Sequence, residues 1–250
     1  MGSEFEGPRT AIVTGGARRI GAALVRSLAA DGWHVLIHYN RSEQEACALA
    51  ADLASASIVR ADLADPSAAA AILGAADGLP PVRLLVNSAS RFEFDSAEDF
   101  TPESWDRHLD VNLRAPALLS KAFAERSEGG LIVNLLDSKL ASPNPDFFSY
   151  TVSKFGLAGL TELLARALAP RFRVCGIAPS VTLLSGPQSR DNFDEVHKLN
   201  ALGRGVEAGQ IAEALRFIVA TPTLTGQTIV LDAGQRFLSL PRDVQFIGDG

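Results

Sequence analysis

The chain has 250 residues, of which 47% are hydrophobic, and a formal net charge of −6. This length is sufficient to bury a substantial core in one domain. The acidic balance, with no clustered Lys/Arg face, argues against nucleic acid or an anionic membrane as partner and favours a small molecule. No apolar run approaches the roughly 20 residues that span a bilayer, and no secretory signal is visible, so we expect a cytoplasmic protein.

Seven short β-type runs alternate with helical patterns along the chain. The predicted strands are 11–13, 35–39, 57–60, 84–87, 131–136, 174–178 and 228–231. Several are apolar at successive positions, as in a parallel sheet covered on both faces. We therefore predict an α/β fold, a doubly wound (Rossmann) parallel sheet of about seven strands with helices on both faces, forming a single domain over residues 7–250.

Three further features of the sequence concern its first residues, its two cysteines and a long polar stretch. Residues 1–6 look like an expression-tag remnant and are excluded from fold reasoning. Cys47 and Cys175 are isolated, which predicts buried free thiols and no structural metal. Residues 183–206 form a long polar stretch with no confident pattern, which predicts a lid over a binding site.

A glycine-rich turn follows the first predicted strand. Residues 14–21 read Thr-Gly-Gly-Ala-Arg-Arg-Ile-Gly and open an amphipathic segment. Glycines let the backbone approach a pyrophosphate, and a helix N-terminus attracts its charge. The turn therefore predicts a dinucleotide site, with a tight turn before a surface helix as the alternative. The predicted contacts are Gly15, Arg18, Arg19, Ile20 and Gly21.

The second predicted strand ends on His-Tyr-Asn-Arg-Ser at residues 38–42. A site that prefers NAD usually has an acidic residue here, whereas an arginine and a serine suit a 2′-phosphate. We therefore predict NADP(H), bound in part by Tyr39, Asn40, Arg41 and Ser42. Alternatively, Arg41 is solvated and Ser42 caps the next helix, and both roles are compatible.

Asp62 and Leu63 follow the third predicted strand. The carboxyl ends of parallel strands meet at one edge of the sheet, so this pair is placed to contact the adenine ring of the cofactor. The alternative is that Asp62 caps a helix that begins near Pro66.

Tyr150 and Lys154 are four residues apart in a helical segment and so share one face. An ammonium near a phenol favours the phenolate and is expected to lower the tyrosine pKa from about 10. Such a tyrosine can act as a general acid. The alternative is an ordinary surface pair, but the order of the other motifs favours the catalytic interpretation.

The chain resembles the short-chain dehydrogenase/reductase family over nearly its full length. The matching segments are 14–21, 87–90, 105–112, Tyr150 with Lys154, 179–182, 202–204, 225–227 and 232–234. The resemblance implies hydride transfer from a nicotinamide, with Tyr150 donating a proton, Lys154 tuning it and holding the ribose, and Asn112 supporting a water-linked proton path. It also implies a homotetramer. Further implied cofactor contacts are Ser88, Ala89, Ser90, Pro179, Ser180 and Thr182.

Two departures from the family pattern narrow the range of expected substrates. Asp137 stands thirteen residues before Tyr150, where the family generally has serine, and the neighbouring Ser138 would face the other way unless the backbone bulges. Arg19 stands where the broad family has a third glycine, and it could reach both phosphate and substrate. Both departures occur together in pteridine reductases, which this chain resembles, and it is also similar to bacterial dihydromonapterin reductases.

This resemblance implies a pterin site made by Arg19, Ser90, Phe92, Asp137 and Tyr150. Phe92 would stack on the pterin, a contact that contributes about 0.5 to 1.5 kcal/mol beyond burial, unless it is merely a core residue. Reduction of a ring C=N bond needs a proton delivered to nitrogen, which Tyr150 and Asp137 together could supply. The predicted reaction is the NADPH-dependent reduction of a dihydropterin to a tetrahydropterin.

Two other functions stay open. One is a general NADPH-dependent carbonyl or quinone reductase in which Asp137 is a tolerated variant. The other is a non-catalytic NADPH-binding sensor, against which the presence of both Tyr150 and Lys154 argues.

Overall fold

The computed structural model describes residues 5–184 and 189–247. Its strands are β1 (Thr10–Val13), β2 (His34–Tyr39), β3 (Ala56–Arg60), β4 (Val82–Asn87), β5 (Gly130–Leu135), β6 (Phe172–Pro179) and β7 (Thr228–Leu231). Its helices are α1 (Arg19–Ala30), α2 (Glu43–Ala51), α3 (Ala68–Gly74), α4 (Pro102–Leu109), α5 (Ala115–Arg126), α6 (Phe148–Leu168), α7 (Arg190–Val196) and α8 (Ala208–Ala220). Each predicted strand corresponds to one of these strands, with bounds that differ by two residues or fewer.

The seven strands form one sheet in the order β3-β2-β1-β4-β5-β6-β7, and every neighbouring pair is parallel. The predicted doubly wound fold is therefore confirmed. The chain adds β2 and β3 on one side of β1 and then crosses to the other side to form β4. The strand order therefore reverses at the boundary between the neighbouring strands β1 and β4. Ligands bind beyond the carboxyl ends of strands at such a reversal, because the connecting loops part there and leave a crevice.

Helices cover both faces of the sheet, which is why β1 and β5 are buried at every position. On one face α1 presents Gly21, Leu24, Val25 and Leu28, whose spacing places them on one side of a helix. On the other face Phe123 of α5 meets Phe172 of β6 edge to face, with ring centroids 5.3 Å apart. The two apolar layers hold the strand ends in fixed positions.

A single turn of π-helix, Asp110–Arg114, joins α4 to α5. Thr101 begins α4 with a reciprocal capping box to Ser104, and Pro102 occupies the first turn, so the start of the helix is well defined. The extra residue of a π-turn rotates the following side chains relative to a regular helix, and such turns are frequent at functional sites. Here the π-turn carries Asn112 into the interior.

The structure bears on the sequence predictions for the lid, the two cysteines and the N-terminal residues. The proposed lid over 183–206 contains the short helix α7, and its residues 185–188 lie outside the described part of the chain. Cys47 is exposed, so the prediction of two buried thiols was wrong for it, whereas Cys175 is buried. The tag interpretation stays a prediction, although Phe5 packs on Trp33 with ring centroids 5.6 Å apart. Within the described ranges, no helix is both long and apolar enough to cross a membrane.

Candidate active site

The glycine turn is shaped by close backbone contacts. Gly15 has φ +62°, and a Cβ there would lie 2.9 Å from the Cα of Ala89. A Cβ on Gly21 would lie 2.1 Å from the carbonyl oxygen of Gly15, so both positions require glycine. Thr14 Oγ1 accepts hydrogen bonds from the N–H groups of Ser88 and Ala89, each at 3.0 Å. The turn is thereby fixed against the end of β4, in a form that fits a pyrophosphate.

His38 supports the same turn from β2. Its Nδ1 accepts a hydrogen bond from the N–H of Gly15 at 3.1 Å, and its Nε2 lies 3.1 Å from the carbonyl oxygen of Ala61. Burial lowers the pKa of His38. A neutral ring with its proton on Nε2 satisfies both contacts. Sequence analysis gave His38 no role, although a polar residue within an apolar strand, just ahead of the cofactor segment, was a usable signal.

Arg19 lies at the beginning of α1 with φ +55°. This left-handed conformation costs a non-glycine residue about 1 to 2 kcal/mol, and it is the position where the broad family has glycine. The Arg19 guanidinium donates to the carbonyl oxygens of Leu184 and Leu183, at 2.7 and 3.3 Å. Arg19 therefore joins the cofactor turn to the first residues of the proposed lid.

The predicted 2′-phosphate segment divides into two groups. Asn40 and Arg41 line the cavity described below, and Arg41 is exposed. Tyr39 is buried away from the cavity wall and its hydroxyl donates to Glu43 at 3.2 Å. Ser42 precedes α2 at the N-cap position but makes no side-chain capping hydrogen bond. Only Asn40 and Arg41 are thus placed to contact a ligand in this cavity.

Asp62 and Leu63 also line the cavity, directly after β3. Asp62 accepts a hydrogen bond from the N–H of Ala64 at 3.0 Å, and α3 begins only at Ala68. Asp62 therefore closes a local turn and does not cap that helix, so the capping alternative was wrong.

Tyr150 and Asp137 are in direct contact at the centre of the site. The Tyr150 hydroxyl donates to Asp137 Oδ2 at 2.6 Å. The other carboxylate oxygen, Oδ1, accepts from the N–H of Lys139 at 2.8 Å, which fixes the orientation of the side chain. The short distance is typical of a hydroxyl bonded to a carboxylate. The contact joins α6 to the residues that follow β5.

Lys154 lies one helical turn beyond Tyr150 and is buried. Its Nζ donates to the carbonyl oxygen of Leu135 at 2.7 Å and lies 5.6 Å from the centroid of the Tyr150 ring. Burial lowers the pKa of Lys154 to about 8. The pKa of Tyr150, in contrast, is raised well above 10 by burial and by the negative charge of Asp137. The expectation of a lowered Tyr150 pKa was therefore wrong, because burial and the Asp137 carboxylate raise it.

Asn112 is fully buried and does not line the cavity. Its side-chain oxygen accepts from the N–H of Arg91 at 2.8 Å, while its Nδ2 lies 2.9 Å from both the carbonyl oxygen of Arg91 and Ser153 Oγ. These hydrogen bonds fix the segment that carries Phe92. The water-linked proton path implied for Asn112 stays a prediction.

Phe92 stacks on Phe147, with ring centroids 4.1 Å apart and planes 18° from parallel. Its ring also meets Tyr150 edge to face, at 4.7 Å and 83°. Phe92 is only partly buried and lines the cavity. It is therefore an aromatic wall of the cavity beside the Tyr150 ring and not a fully buried core residue.

One cavity of about 990 Å³ runs along the carboxyl ends of the strands. Three of the predicted site residues, Tyr39, Ser42 and Asn112, are not on its wall. The predicted residues that line it are Gly15, Arg18, Arg19, Ile20, Gly21, Asn40, Arg41, Asp62, Leu63, Ser88, Ala89, Ser90, Phe92, Asp137, Tyr150, Lys154, Pro179, Ser180 and Thr182.

Residues 9–194 match the family model described as short chain dehydrogenase. The chain belongs to the short-chain dehydrogenase family. This short-chain dehydrogenase is 32% identical to dehydrogenase/reductase SDR family member 4 of Homo sapiens, and the match covers 90% of this chain and 87% of the human protein. The predicted family is therefore confirmed, and the protein is an NAD(P)-dependent oxidoreductase.

Two solved structures resemble this short-chain dehydrogenase in sequence and fold. FolM alternative dihydrofolate reductase 1 of Brucella canis, complexed with NADP, is 39% identical with a TM-score of 0.88, covering 92% of this chain and 94% of that one. The corresponding protein of Brucella suis, also in complex with NADP, is 40% identical with a TM-score of 0.87, covering 92% and 95%.

The C-terminal segment, residues 240–247, completes the cavity of this short-chain dehydrogenase. Arg242 Nε donates to both carboxylate oxygens of Asp146, at 2.7 and 2.9 Å, and the N–H of Asp243 donates to the same carboxylate at 2.7 Å. Phe246 stacks on Phe147 with ring centroids 5.9 Å apart. Four residues of the segment line the cavity: Leu240, Asp243, Val244 and Gln245. Sequence analysis missed them, because their partners lie about 100 positions earlier in the chain.

Proposed function

We propose that this protein reduces a C=N bond of a dihydropterin to give the tetrahydropterin, with NADPH as cofactor. The observation that carries the proposal is the 2.6 Å contact between the Tyr150 hydroxyl and Asp137, beside the partly exposed ring of Phe92. A proton donor next to an aromatic wall suits a flat heterocycle that must be protonated on a ring nitrogen.

The residues of the cavity fit NADP(H). The turn of Gly15 and Gly21 would hold the pyrophosphate at the start of α1, because a glycine backbone and the N–H groups of a helix N-terminus suit an anion. Cβ atoms on these two glycines would collide with the backbone of Ala89 and Gly15, so only glycine permits this turn. Arg41, exposed on the cavity wall after β2, would bind the 2′-phosphate through its planar guanidinium. Both Brucella proteins were solved with NADP. When bound, the reduced nicotinamide supplies the hydride that the ring carbon receives.

Proton delivery falls to Tyr150 and Asp137. The ring carbon of the C=N bond gains a hydride and the adjacent nitrogen gains a proton, so the bond becomes CH–NH. Tyr150 gives that proton from its hydroxyl, since its raised pKa keeps the phenol protonated at neutral pH. Asp137 accepts the hydrogen bond of that hydroxyl at 2.6 Å and so fixes its position. Solvent in the cavity then restores the proton.

Lys154 supports this step from behind the tyrosine. Its ammonium is held by the Leu135 carbonyl and lies near the Tyr150 ring, where a positive charge stabilises the phenolate that forms as the proton leaves. In the proposed complex it also holds the nicotinamide ribose. Asn112 acts at a distance, because its hydrogen bonds to Arg91 position the Phe92 wall.

Asp137 favours this reaction over ketone reduction. A carbonyl substrate needs a neutral donor for the oxygen on which negative charge develops, and a carboxylate at 2.6 Å from the tyrosine would repel that oxygen. The same contact argues against a general carbonyl or quinone reductase. A non-catalytic NADPH sensor would need neither Tyr150 nor Lys154 in the cavity.

The test is to follow NADPH oxidation by the purified protein with 7,8-dihydropterins, dihydrofolate, quinones and simple ketones. We expect turnover of the dihydropterins. Turnover confined to quinones and ketones would replace the proposal with the general reductase, and tight NADPH binding without any turnover would replace it with the sensor.

We further propose that the protein is a homotetramer, and a cytoplasmic location remains a prediction. Large apolar side chains are exposed on α6, at Phe155 and Leu163, and near the sheet edge, at Phe217 of α8 and Val230 of β7. Two separate apolar faces suit an assembly with two kinds of interface. Light scattering coupled to size-exclusion chromatography measures the mass, and a monomer of 26.4 kDa would contradict the tetramer.

A further inference from the structure

The C-terminal segment places a buried ion pair on the cavity wall. The side chain of Asp243 is 14% exposed, and its Oδ2 lies 3.4 Å from Lys139 Nζ, whose side chain is 8% exposed. Asp243 Oδ1 accepts from the N–H of Gln245 at 3.2 Å, and Lys139 Nζ also donates to the carbonyl oxygen of Asp146 at 2.5 Å. Asp243 and Lys139 both line the cavity. The proton transfer derived above uses neither of them.

This ion pair lies close to the reacting groups. Lys139 is two residues beyond Asp137 and donates its N–H to that carboxylate at 2.8 Å. Burial, and then the charge of Asp137, raise the pKa of Asp243, although Lys139 opposes this. The charge of Asp243 in turn contributes to the raised pKa of Tyr150. Because Lys139 contacts both Asp137 and Asp243, it places Asp243 at the same end of the cavity as Asp137 and Tyr150.

The chemistry of the proposed substrate brings a side chain to this end. In a 7,8-dihydropterin the carbon of the reducible C=N bond carries the substituent of the ring. That carbon must lie close to Tyr150 and Asp137, because they protonate the nitrogen bonded to it. The first atoms of the substituent therefore enter the region walled by Asp243 and Lys139.

We propose that Asp243 is a specificity-determining residue that binds the hydroxyl groups of a short polyhydroxylated substituent on the dihydropterin; this inference rests on the function proposed above. A hydroxyl can donate to the Asp243 carboxylate and accept from the Lys139 ammonium at once. The arylaminomethyl substituent of dihydrofolate has one N–H donor and no hydroxyl near the ring, so it would cover the same ion pair and replace fewer of its hydrogen bonds to water, which is unfavourable. The site thus selects hydroxyalkyl over aryl-bearing dihydropterins.

The experiment compares kcat/KM for three substrates in the full-length protein with NADPH: 7,8-dihydromonapterin, 6-methyl-7,8-dihydropterin and dihydrofolate. In Asp243→Leu we expect kcat/KM for dihydromonapterin to fall by about 10-fold to 100-fold, the effect of removing a charged hydrogen-bond partner. The 6-methyl substrate has no hydroxyl, so its kcat/KM should change by less than about 3-fold. Asp243→Asn keeps an acceptor oxygen and should retain part of the preference.

The control is Asp194→Leu, the same substitution at an exposed position on α7 away from the cavity wall. It should leave the ratio of the substrates unchanged. An equal loss on the hydroxylated and 6-methyl substrates in Asp243→Leu would overturn the specificity role and indicate general damage to the site. An unchanged ratio would overturn it as well. Failure of the unsubstituted protein to reduce any dihydropterin would instead reject the proposed function.

Discussion

The two ends of the cavity are built in different ways. At the cofactor end the backbone of the glycine turn forms part of the wall, and the residues of this end lie within a few positions of each other or at neighbouring strand ends. At the substrate end the wall is made of side chains from distant segments, with Asp137, Tyr150 and Asp243 brought together by α6 and the C-terminal segment. A turn that depends on glycine backbone suits a cofactor shared by many enzymes, whereas side chains from distant segments can change with the substrate.

The largest loss of activity should follow a substitution of the proton donor at the substrate end of the cavity. Tyr150→Phe keeps the ring and its edge contact with Phe92 but removes the hydroxyl. A general acid contributes about 10²-fold to 10⁴-fold, so we expect kcat with a dihydropterin to fall by that factor. NADPH affinity, measured by fluorescence titration, should stay within a few-fold. A variant with more than half of the original kcat would remove Tyr150 from the proposed mechanism.

Asp137→Ser tests whether the carboxylate is specific to C=N reduction. The substitution restores the residue that the family generally has, and it removes the carboxylate that accepts the hydrogen bond of Tyr150. We expect kcat for dihydropterins to fall by about 100-fold, within the range of acid–base catalysis, while activity on a simple ketone rises from its starting level. Unchanged dihydropterin turnover would show that the carboxylate has no special role.

Arg41→Ala tests the cofactor end. Loss of a guanidinium that binds phosphate should lower the preference for NADPH over NADH by about 10-fold, read as the ratio of the two kcat/KM values. The control is Arg26→Ala, which removes an exposed arginine of α1 that pairs with Asp52 at 3.5 Å, away from the cavity wall. Equal preference ratios in the two variants would take Arg41 out of cofactor selection.

The smallest change in kinetics should follow a substitution of Phe92, the aromatic wall of the cavity. Phe92→Leu keeps an apolar side chain but loses stacking, so KM for a dihydropterin should rise by about 2-fold to 10-fold with little change in kcat. Phe94→Leu is the matched control, because Phe94 is half exposed and does not line the cavity, although it contacts the same Phe147 ring. Should both variants raise KM equally, the aromatic cluster as a whole would be responsible and not stacking by Phe92.

The same contrast explains which site residues sequence analysis located. Gly15 and Gly21 were found because a turn that approaches both a helix N-terminus and another strand end admits only glycine, which leaves a local pattern. Tyr39 was assigned to the cofactor by position alone, whereas Ser42 was assigned because a hydroxyl after β2 suits a 2′-phosphate. The orientation of their side chains depends on how α2 packs after β2, and that packing turned Tyr39 toward Glu43.

The sequence by itself determined the strand positions, the parallel sheet, the family and the Tyr150–Lys154 pair, because strand burial and helical spacing are written in local residue patterns. The tertiary structure alone decided that Tyr150 keeps a high pKa, that Asn112 supports Phe92 from behind the wall, and that Asp243 enters the cavity. The physical reason is that burial, electrostatic coupling and contact depend on distances between segments that are far apart in the chain, such as the 2.7 Å bond from Asp243 to Asp146.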